Sequence, residues 1–349
     1  MSATTTIRTV AVHARVSVAT VSAVVNGTKP VSPELTARVR ASVSALGYRP
    51  NNLARSLKQQ RSRILGLVLS DITNPFFTTL VRAVEDTART RGYTLLLGNT
   101  DEDVAKEETY VELLRSRQVD GLILVASAGE HAYLPELLAA GFSVVCVDRS
   151  LVALGADSVL TDNVTGAREA VAHLITLGHR RVGIVAGLPG VTSTYQRLQG
   201  YHDALTAAGI PADTALVRQG NSRIEGGVVE TAALLDLPVP PTALFVTNNL
   251  MTIGAMRTVL DRGLRCPEDI ALIGFDDFEW ASVFRPRLTT VRQPVYEIGE
   301  TATRLLVDRI ERKRSGAATE LLLHPTLVVR ESCGETRTTM SSYAYKGGH

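Results

Sequence analysis

Apolar and polar positions change rhythm twice along this chain, and each change marks a different kind of structure. From Ile7 the apolar residues Val10, Ala11 and Ala14 recur at helical spacing. A second helix is expected over 18–26, with Ser17 as its N-cap and Gly27 at its C-terminus. A third opens at Ser32-Pro33, a cap followed by proline in the first turn, and runs through Leu46 to Gly47. After Tyr48 the pattern lapses into a polar linker with one short helical turn beyond Pro50. From Ile64 apolar strand runs alternate with amphipathic helices. Strands are expected at 64–69, 94–97, 121–125, 143–147, 182–185, 243–246 and 270–273. Helices are expected at 78–91, 106–117, 167–177, 195–208, 226–235 and 251–262. This βαβ alternation implies parallel sheets with helices on both faces. It is too long for one doubly wound sheet, so two are expected, divided near Asp162. A last helix at 298–311 and a strand at 321–329 return the chain to the sheets.

Length and composition fit this division. A chain of 349 residues calls for two or three folding units. With 45% hydrophobic and 21% charged residues it reads as a soluble globular protein. No apolar run approaches the roughly 18 residues of a membrane span, and the segment Met1 to Thr9 has no apolar leader pattern. Cys146, Cys266 and Cys333 lie far apart without metal-ligand spacing. They fit a reducing compartment, and Cys146 and Cys266 read as small buried hydrophobes. No metal or cofactor is expected. The tail from Cys333 is polar and is expected to be disordered, and it has no leucine heptads for a tetramerising coiled coil.

Charge separates the chain more sharply than composition does. Residues 1–63 hold ten Lys/Arg and a single acid, Glu34, a net +9. The whole chain is only +2, so the rest is acidic. A cationic head on an acidic body points to a polyanion partner for the head. The paired short helices there have the form of a helix–turn–helix, in which the second helix enters the DNA major groove. Ala11, Val16, Val21 and Val24 would make its small core. Ser17, Thr20, Ser22 and Asn26 would face phosphates or bases. A plain helical subdomain explains the spacing but not the charge.

Specific residues carry the reading further. Val16-Ser-Val-Ala-Thr-Val-Ser22, Val25-Asn-Gly27, Leu46-Gly-Tyr-Arg-Pro50 and Leu53-Ala-Arg-Ser-Leu57 closely resemble the LacI/GalR family of bacterial regulators. The resemblance continues, in collinear order, through Gly66-Leu-Val, Asp71-Ile-Thr-Asn-Pro-Phe-Phe77, Val119-Asp-Gly121 and Leu177-Gly-His179. It ends with Gly274-Phe-Asp-Asp277 and Leu288-Thr-Thr-Val-Arg-Gln-Pro294. It implies a cytoplasmic, nucleoid-associated homodimer with no membrane contact, each head reading half of a pseudopalindromic operator in double-stranded DNA. DNA contacts are then expected from Ser17, Val18, Ala19, Thr20, Ser22, Ala23, Asn26 and Tyr48. Asn51, Ala54, Arg55, Leu57 and Lys58 would contact DNA from a hinge helix over 51–58. Leu57 would be an apolar wedge between minor-groove base steps, although packing under the core is its plainer reading.

Two departures from the family stand out. Val18, Ala19 and Ala23 occupy recognition-helix positions that often carry polar readers. They can touch thymine methyls but cannot make bidentate bonds to guanine. Arg15 stands in the turn where glycine is common. A left-handed backbone there would cost roughly 1 kcal/mol, in exchange for a phosphate contact.

The body resembles periplasmic sugar-binding proteins in fold, which implies a ligand between two subdomains at the carboxyl ends of strands. Asp71, Asn74, Asp148, Arg149, Asn248 and Asp276 follow strands. Ser193 and Arg197 lie at a helix start, and Gln293 at a crossover. The resemblance makes Asp148, Arg197, Asn248 and Asp276 the best contacts to a sugar or sugar derivative, whose hydroxyls both donate and accept. Phe76, Phe77 and Trp280 are candidate apolar platforms, with ordinary packing as the alternative. A purine effector, found in one branch of the family, is disfavoured: that branch has an arginine and an aromatic where this chain has Val191 and Ser222.

The fold expected is an all-α helix–turn–helix head with a hinge helix, then an α/β periplasmic-binding-protein-like core of two doubly wound parallel-sheet subdomains. The divisions expected are 1–49 head, 50–63 hinge and linker, 64–332 core and 333–349 tail. Within the core, one subdomain takes 64–162 plus 293–320 and the other 163–292 plus 321–332. The function expected is a ligand-responsive, sequence-specific repressor of carbohydrate-metabolism genes. A sugar-binding protein or an enzyme on a similar core is the alternative. No P-loop, H-E-x-x-H or C-x-x-C is present, and no catalytic residue is assigned.

Overall fold

The computed structural model describes residues 5–27, 29–48 and 61–334. The expected hinge contacts Asn51, Ala54, Arg55, Leu57 and Lys58, and the tail beyond Gly334, lie outside the described residues. The chain divides into two units, Met1–Ser62 and Arg63–His349.

In the first unit, α1 (Ile7–Ala14), α2 (Val18–Asn26) and α3 (Pro33–Ala45) form a small bundle. Val10, Ala11, Ala14, Val21 and Val39 are buried at its centre, with Val16, Val24 and Tyr48 packed partly against them. Each helix begins with a hydroxyl cap: Thr6 accepts from the Thr9 amide, Ser17 from Thr20 and Ser32 from Leu35.

The second unit holds two six-stranded sheets. The first contains β1 (Ile64–Leu69), β2 (Thr94–Asn99), β3 (Gly121–Leu124), β4 (Ser143–Val147), β5 (Asp157–Thr161) and β11 (Glu320–Leu323). Its order is β11-β5-β4-β3-β1-β2, parallel throughout. The second contains β6 (Val182–Ala186), β7 (Val217–Gln219), β8 (Ala243–Val246), β9 (Ala271–Phe275), β10 (Thr289–Arg292) and β12 (Thr326–Val328). Its order is β12-β10-β9-β8-β6-β7, with only the edge strand β12 antiparallel. The sheet faces are covered by α4 (Pro75–Thr90), α5 (Val104–Ser116), α6 (Tyr133–Ala139), α7 (Asn163–Thr176), α8 (Thr192–Ala207), α9 (Ile224–Leu235), α10 (Asn249–Asp261) and α11 (Val295–Ile310).

The central strands of each sheet are buried on both faces, which is why they read as continuous apolar runs. In β1, Leu65, Leu67 and Leu69 join one core while Val68 joins the other. In β8, Ala243 and Phe245 face one way and Leu244 and Val246 the opposite way. The second sheet's helices approach closely through glycine: a Cβ at Gly200 of α8 would lie 2.3 Å from the Val164 carbonyl oxygen of α7.

The chain crosses between the sheets after β5, after β10 and after β11. The last crossing corrects the single strand expected over 321–329. Pro325 has no amide proton for a ladder, and the run breaks there into β11 and β12 in different sheets. Residues 321–323 therefore belong with the first sheet rather than the second subdomain. Cys333, expected to begin a disordered tail, is fully buried and accepts from the Thr289 hydroxyl at 3.2 Å. Cys146 and Cys266 are buried as expected.

Candidate functional site

In the head, α1 and α2 meet at 105°, within the range of a helix–turn–helix. The turn between them is made by Arg15, whose φ of 51° and ψ of 48° are left-handed. Its amide closes α1 onto the Ala11 and Val12 carbonyls, and its own carbonyl accepts from Arg38 at 3.1 Å. The turn thus has the geometry that favours glycine, held by an arginine.

Helix α2 presents Ser17, Val18 and Ala19 to solvent, with Val18 41% exposed. Ser22 and Asn26 follow Val18 one and two turns along. They are partly exposed and linked, the Asn26 amide donating to Ser22 Oγ at 3.1 Å and to the Ser22 carbonyl at 2.9 Å. Thr20 shares a hydrogen bond with Ser17 in the cap, 2.9 Å between the hydroxyls. Ala23 departs from expectation: at 9% exposure it is buried beside the core, because its position turns away from the Val18–Ser22–Asn26 face. Tyr48 is half-buried against the head's core.

In the body, a pocket opens where carboxyl ends of strands from both sheets meet. Asp71, Asn74, Phe76, Phe77, Asp148, Arg149, Ser193, Arg197, Asn248, Asp276 and Gln293 all line it. Several have structural duties as well. Asn74 caps α4 by accepting from the Phe76 amide at 2.9 Å, and Asn248 caps α10 by accepting from the Met251 amide at 2.8 Å. Asp148 and Asp276 have φ of 65° and 72°, so each strand ends on a left-handed residue. Phe76 and Phe77 meet edge to face with centroids 5.0 Å apart.

The charged groups are buried and interlocked. Both Arg149 Nη atoms donate to Glu102, at 2.7 and 2.5 Å, and Nη1 also donates to the Ala126 carbonyl. Arg197 Nε donates to Asn163 at 2.8 Å, and its Nη1 to the Thr247 carbonyl at 2.6 Å. Its guanidinium lies 3.9 Å over the Phe275 ring. Gln293 joins the crossover, accepting from the Thr161 hydroxyl and donating to Asp276. Burial pushes the Asp276 carboxyl above its usual range, against the opposing pull of Arg197 and the Gln293 hydrogen bond. A carboxyl so placed gains from a ligand hydroxyl that replaces lost water.

Trp280 is the expected platform that the pocket does not contain. It lies on a short 3-10 turn, 57% exposed, because its neighbours Phe278 and Ala281 take the inward positions. Sequence reasoning missed Glu102, Gly187, Thr194, Asn221, Arg223 and Thr247, which also line the pocket. Val191 and Ser222 line it too. Glu102 follows β2 as the other candidates follow their strands, so the same rule would have found it. Asn221 and Arg223 follow β7, a strand of three residues with little apolar signal.

Comparison with known proteins matches both units. Residues 6–51 match the family described as bacterial regulatory proteins, lacI family. Residues 171–333 match a periplasmic binding protein-like domain. The repressor CytR of Escherichia coli K12 is 35% identical over 324 residues, 91% of this chain and 93% of its own. A ribose operon repressor of Halalkalibacterium halodurans is 38% identical over 309 residues, 88% of this chain and 91% of its own. The solved lac repressor dimer, bound to operator and the anti-inducer ONPF, superimposes with a TM-score of 0.85 at 29% identity, covering 95% of this chain and 99% of that one.

Proposed function

The chain belongs to the lacI family of bacterial regulatory proteins, and we propose that it represses carbohydrate-metabolism genes under the control of a sugar bound between its two sheets. Membership makes it a ligand-responsive, DNA-binding transcriptional regulator. The finer reading is our own, and the convergence of Asp148, Arg149, Arg197, Asn248 and Asp276 on one polar pocket carries it. Carboxylates and guanidiniums side by side suit hydroxyls, which donate and accept at once.

In this reading a cytoplasmic homodimer sets two heads on a pseudopalindrome. Val18, Ala19, Ser22 and Asn26 face the major groove, and the apolar pair reads thymine methyls. The hinge 51–58 orders on DNA, with Leu57 as the wedge. Sugar binding shifts one sheet against the other and changes that order, coupling the sites by about 1–3 kcal/mol. A purine is the weaker alternative, since Val191 and Ser222 on the lining offer neither a cation nor a ring.

Selection of genomic fragments by the full-length protein, repeated with a panel of sugars, tests this reading. We expect a two-fold symmetric site whose affinity falls steeply with salt and shifts with one sugar. Failure to select any fragment overturns the DNA half, and a selected site indifferent to every sugar overturns the effector half.

A further inference from the structure

We propose that the pocket takes an uncharged sugar of a single ring and rejects sugar phosphates, and that Glu102 sets this choice. The inference rests on the sugar reading above and adds the ligand's charge and size.

The lining carries the carboxylates Asp71, Glu102, Asp148 and Asp276 against the guanidiniums Arg149, Arg197 and Arg223. Of the two buried cations, Arg149 is paired with carboxylates and Arg197 is held by neutral acceptors. Arg149 is held by both oxygens of Glu102, with its Nε 3.4 Å from Asp148 Oδ2. Arg197 spends hydrogen bonds on Asn163 and Thr247, stacks on Phe275 and lies in the field of Asp276. Arg223 is exposed at the rim and lies in the field of Asp101. A phosphate dianion entering this pocket meets an excess of negative charge. With Arg149 already paired and Arg223 exposed at the rim, burying it against that excess carries a large desolvation cost. A neutral hydroxyl meets no such penalty, because it donates to the carboxylates and accepts from the remaining amide and guanidinium protons.

Size points the same way. The cavity volume is about 70 Å³, small beside the roughly 300–1,000 Å³ of pockets that take drug-sized ligands. A cavity of that size suits one sugar ring rather than two. Its aromatic rings, Phe76 and Phe77, both come from the start of α4, and the second sheet adds none to the lining. A nucleobase would have no ring on the second sheet's side of the lining to stack on.

Calorimetric titration of the full-length protein tests the proposal. The probes are neutral aldoses, ketoses and polyols, each paired with its terminal phosphate ester, with cellobiose and cytidine added. We expect at least one neutral monosaccharide to bind and its ester to bind at least about 100-fold more weakly, about 2.7 kcal/mol. Glu102→Gln frees Arg149 and should narrow that ratio at least tenfold, whereas a merely structural role would weaken both probes alike and leave the ratio unchanged. An ester that matches its parent sugar overturns the proposal, as does a ratio that Glu102→Gln leaves unmoved. Tighter binding of cellobiose or cytidine than of any monosaccharide overturns the size argument. If no probe in any series binds, the sugar reading itself falls, and this inference with it.

Discussion

The side-chain amide of Asn249 donates to the side-chain oxygen of Asn74 at 2.8 Å, tying the start of α10 to the start of α4. One residue belongs to the second sheet's layer and the other to the first, and Asn74 also lines the pocket. Both are buried, Asn249 at 1% exposure and Asn74 at 7%. The bond is therefore a latch beside the pocket, made when the sheets stand in this arrangement. Asn249→Ala removes it. We expect effector affinity to drop about two- to thirteenfold, equivalent to the roughly 0.5–1.5 kcal/mol of one net hydrogen bond. Calorimetry on the variant measures this, and unchanged affinity would show that the latch does not favour the ligand-bound arrangement.

Asp276 makes a different prediction, about pH. Burial raises its native carboxyl above the ordinary value of 3.8. A native state that holds the proton more tightly than the unfolded chain loses stability as pH rises from that ordinary value through the raised one. Asp276→Asn should remove this step from a plot of stability against pH while abolishing effector binding. Thermal melts of the ligand-free protein across the acid range check it. An unchanged step would assign the effect elsewhere.

Glu107 shows the opposite sign. It is fully buried and accepts from the Ser127 amide at 2.5 Å, from the Tyr133 hydroxyl at 2.5 Å and at 2.8 Å from His131 Nδ1. Burial pushes its carboxyl up, but these hydrogen bonds outweigh it and hold the native value below 4.5. Its stabilisation is thus complete above that value and fades as pH falls through the native one. Because Ala126 of the same loop accepts from Arg149, the cluster also braces the pocket wall. Glu107→Ala strands several donors and should cost about 3 kcal/mol or more by denaturant titration. Glu107→Gln should flatten the acid limb.

Arg15 holds a left-handed turn at φ 51°. Arg15→Gly relieves a strain of about 1–2 kcal/mol, offset by about 0.5–1 kcal/mol of added backbone freedom. Head stability should stay level or rise by up to about 1.5 kcal/mol, while Arg15→Ala keeps the strain and gains nothing. If Arg15 touches a phosphate, either change should also lower the salt slope of DNA binding by about 1. Denaturation and salt titration read the two effects separately.

The head was legible because its signals are local: caps at Ser17 and Ser32, a terminating Gly27, and charge gathered before residue 64. The sheets were legible because their central strands are buried on both faces and apolar runs persist there. Elements with polar residues inside them were missed. Strand β5 reads Asp-Ser-Val-Leu-Thr and β10 reads Thr-Thr-Val-Arg, and neither offers a run. Helices α4 and α7 begin three and four residues before their expected starts at 78 and 167, because the first turn carries caps and pocket residues instead of the apolar stripe. Asp71, Asn74, Asp148, Arg149, Asn248 and Asp276 of the pocket followed from one rule, polar residues after strands. Trp280 was misplaced because a chemically suitable ring four residues beyond Asp276 gives no sign of which way it points.

The central claim is that occupancy of the pocket sets DNA affinity, and Arg197→Ala tests it most directly. Fluorescence anisotropy with the protein's own operator should show the wild type changing affinity with effector by about 5- to 150-fold. Arg197→Ala should match the wild type without effector and not respond to it. A variant that keeps the full response would contradict the account.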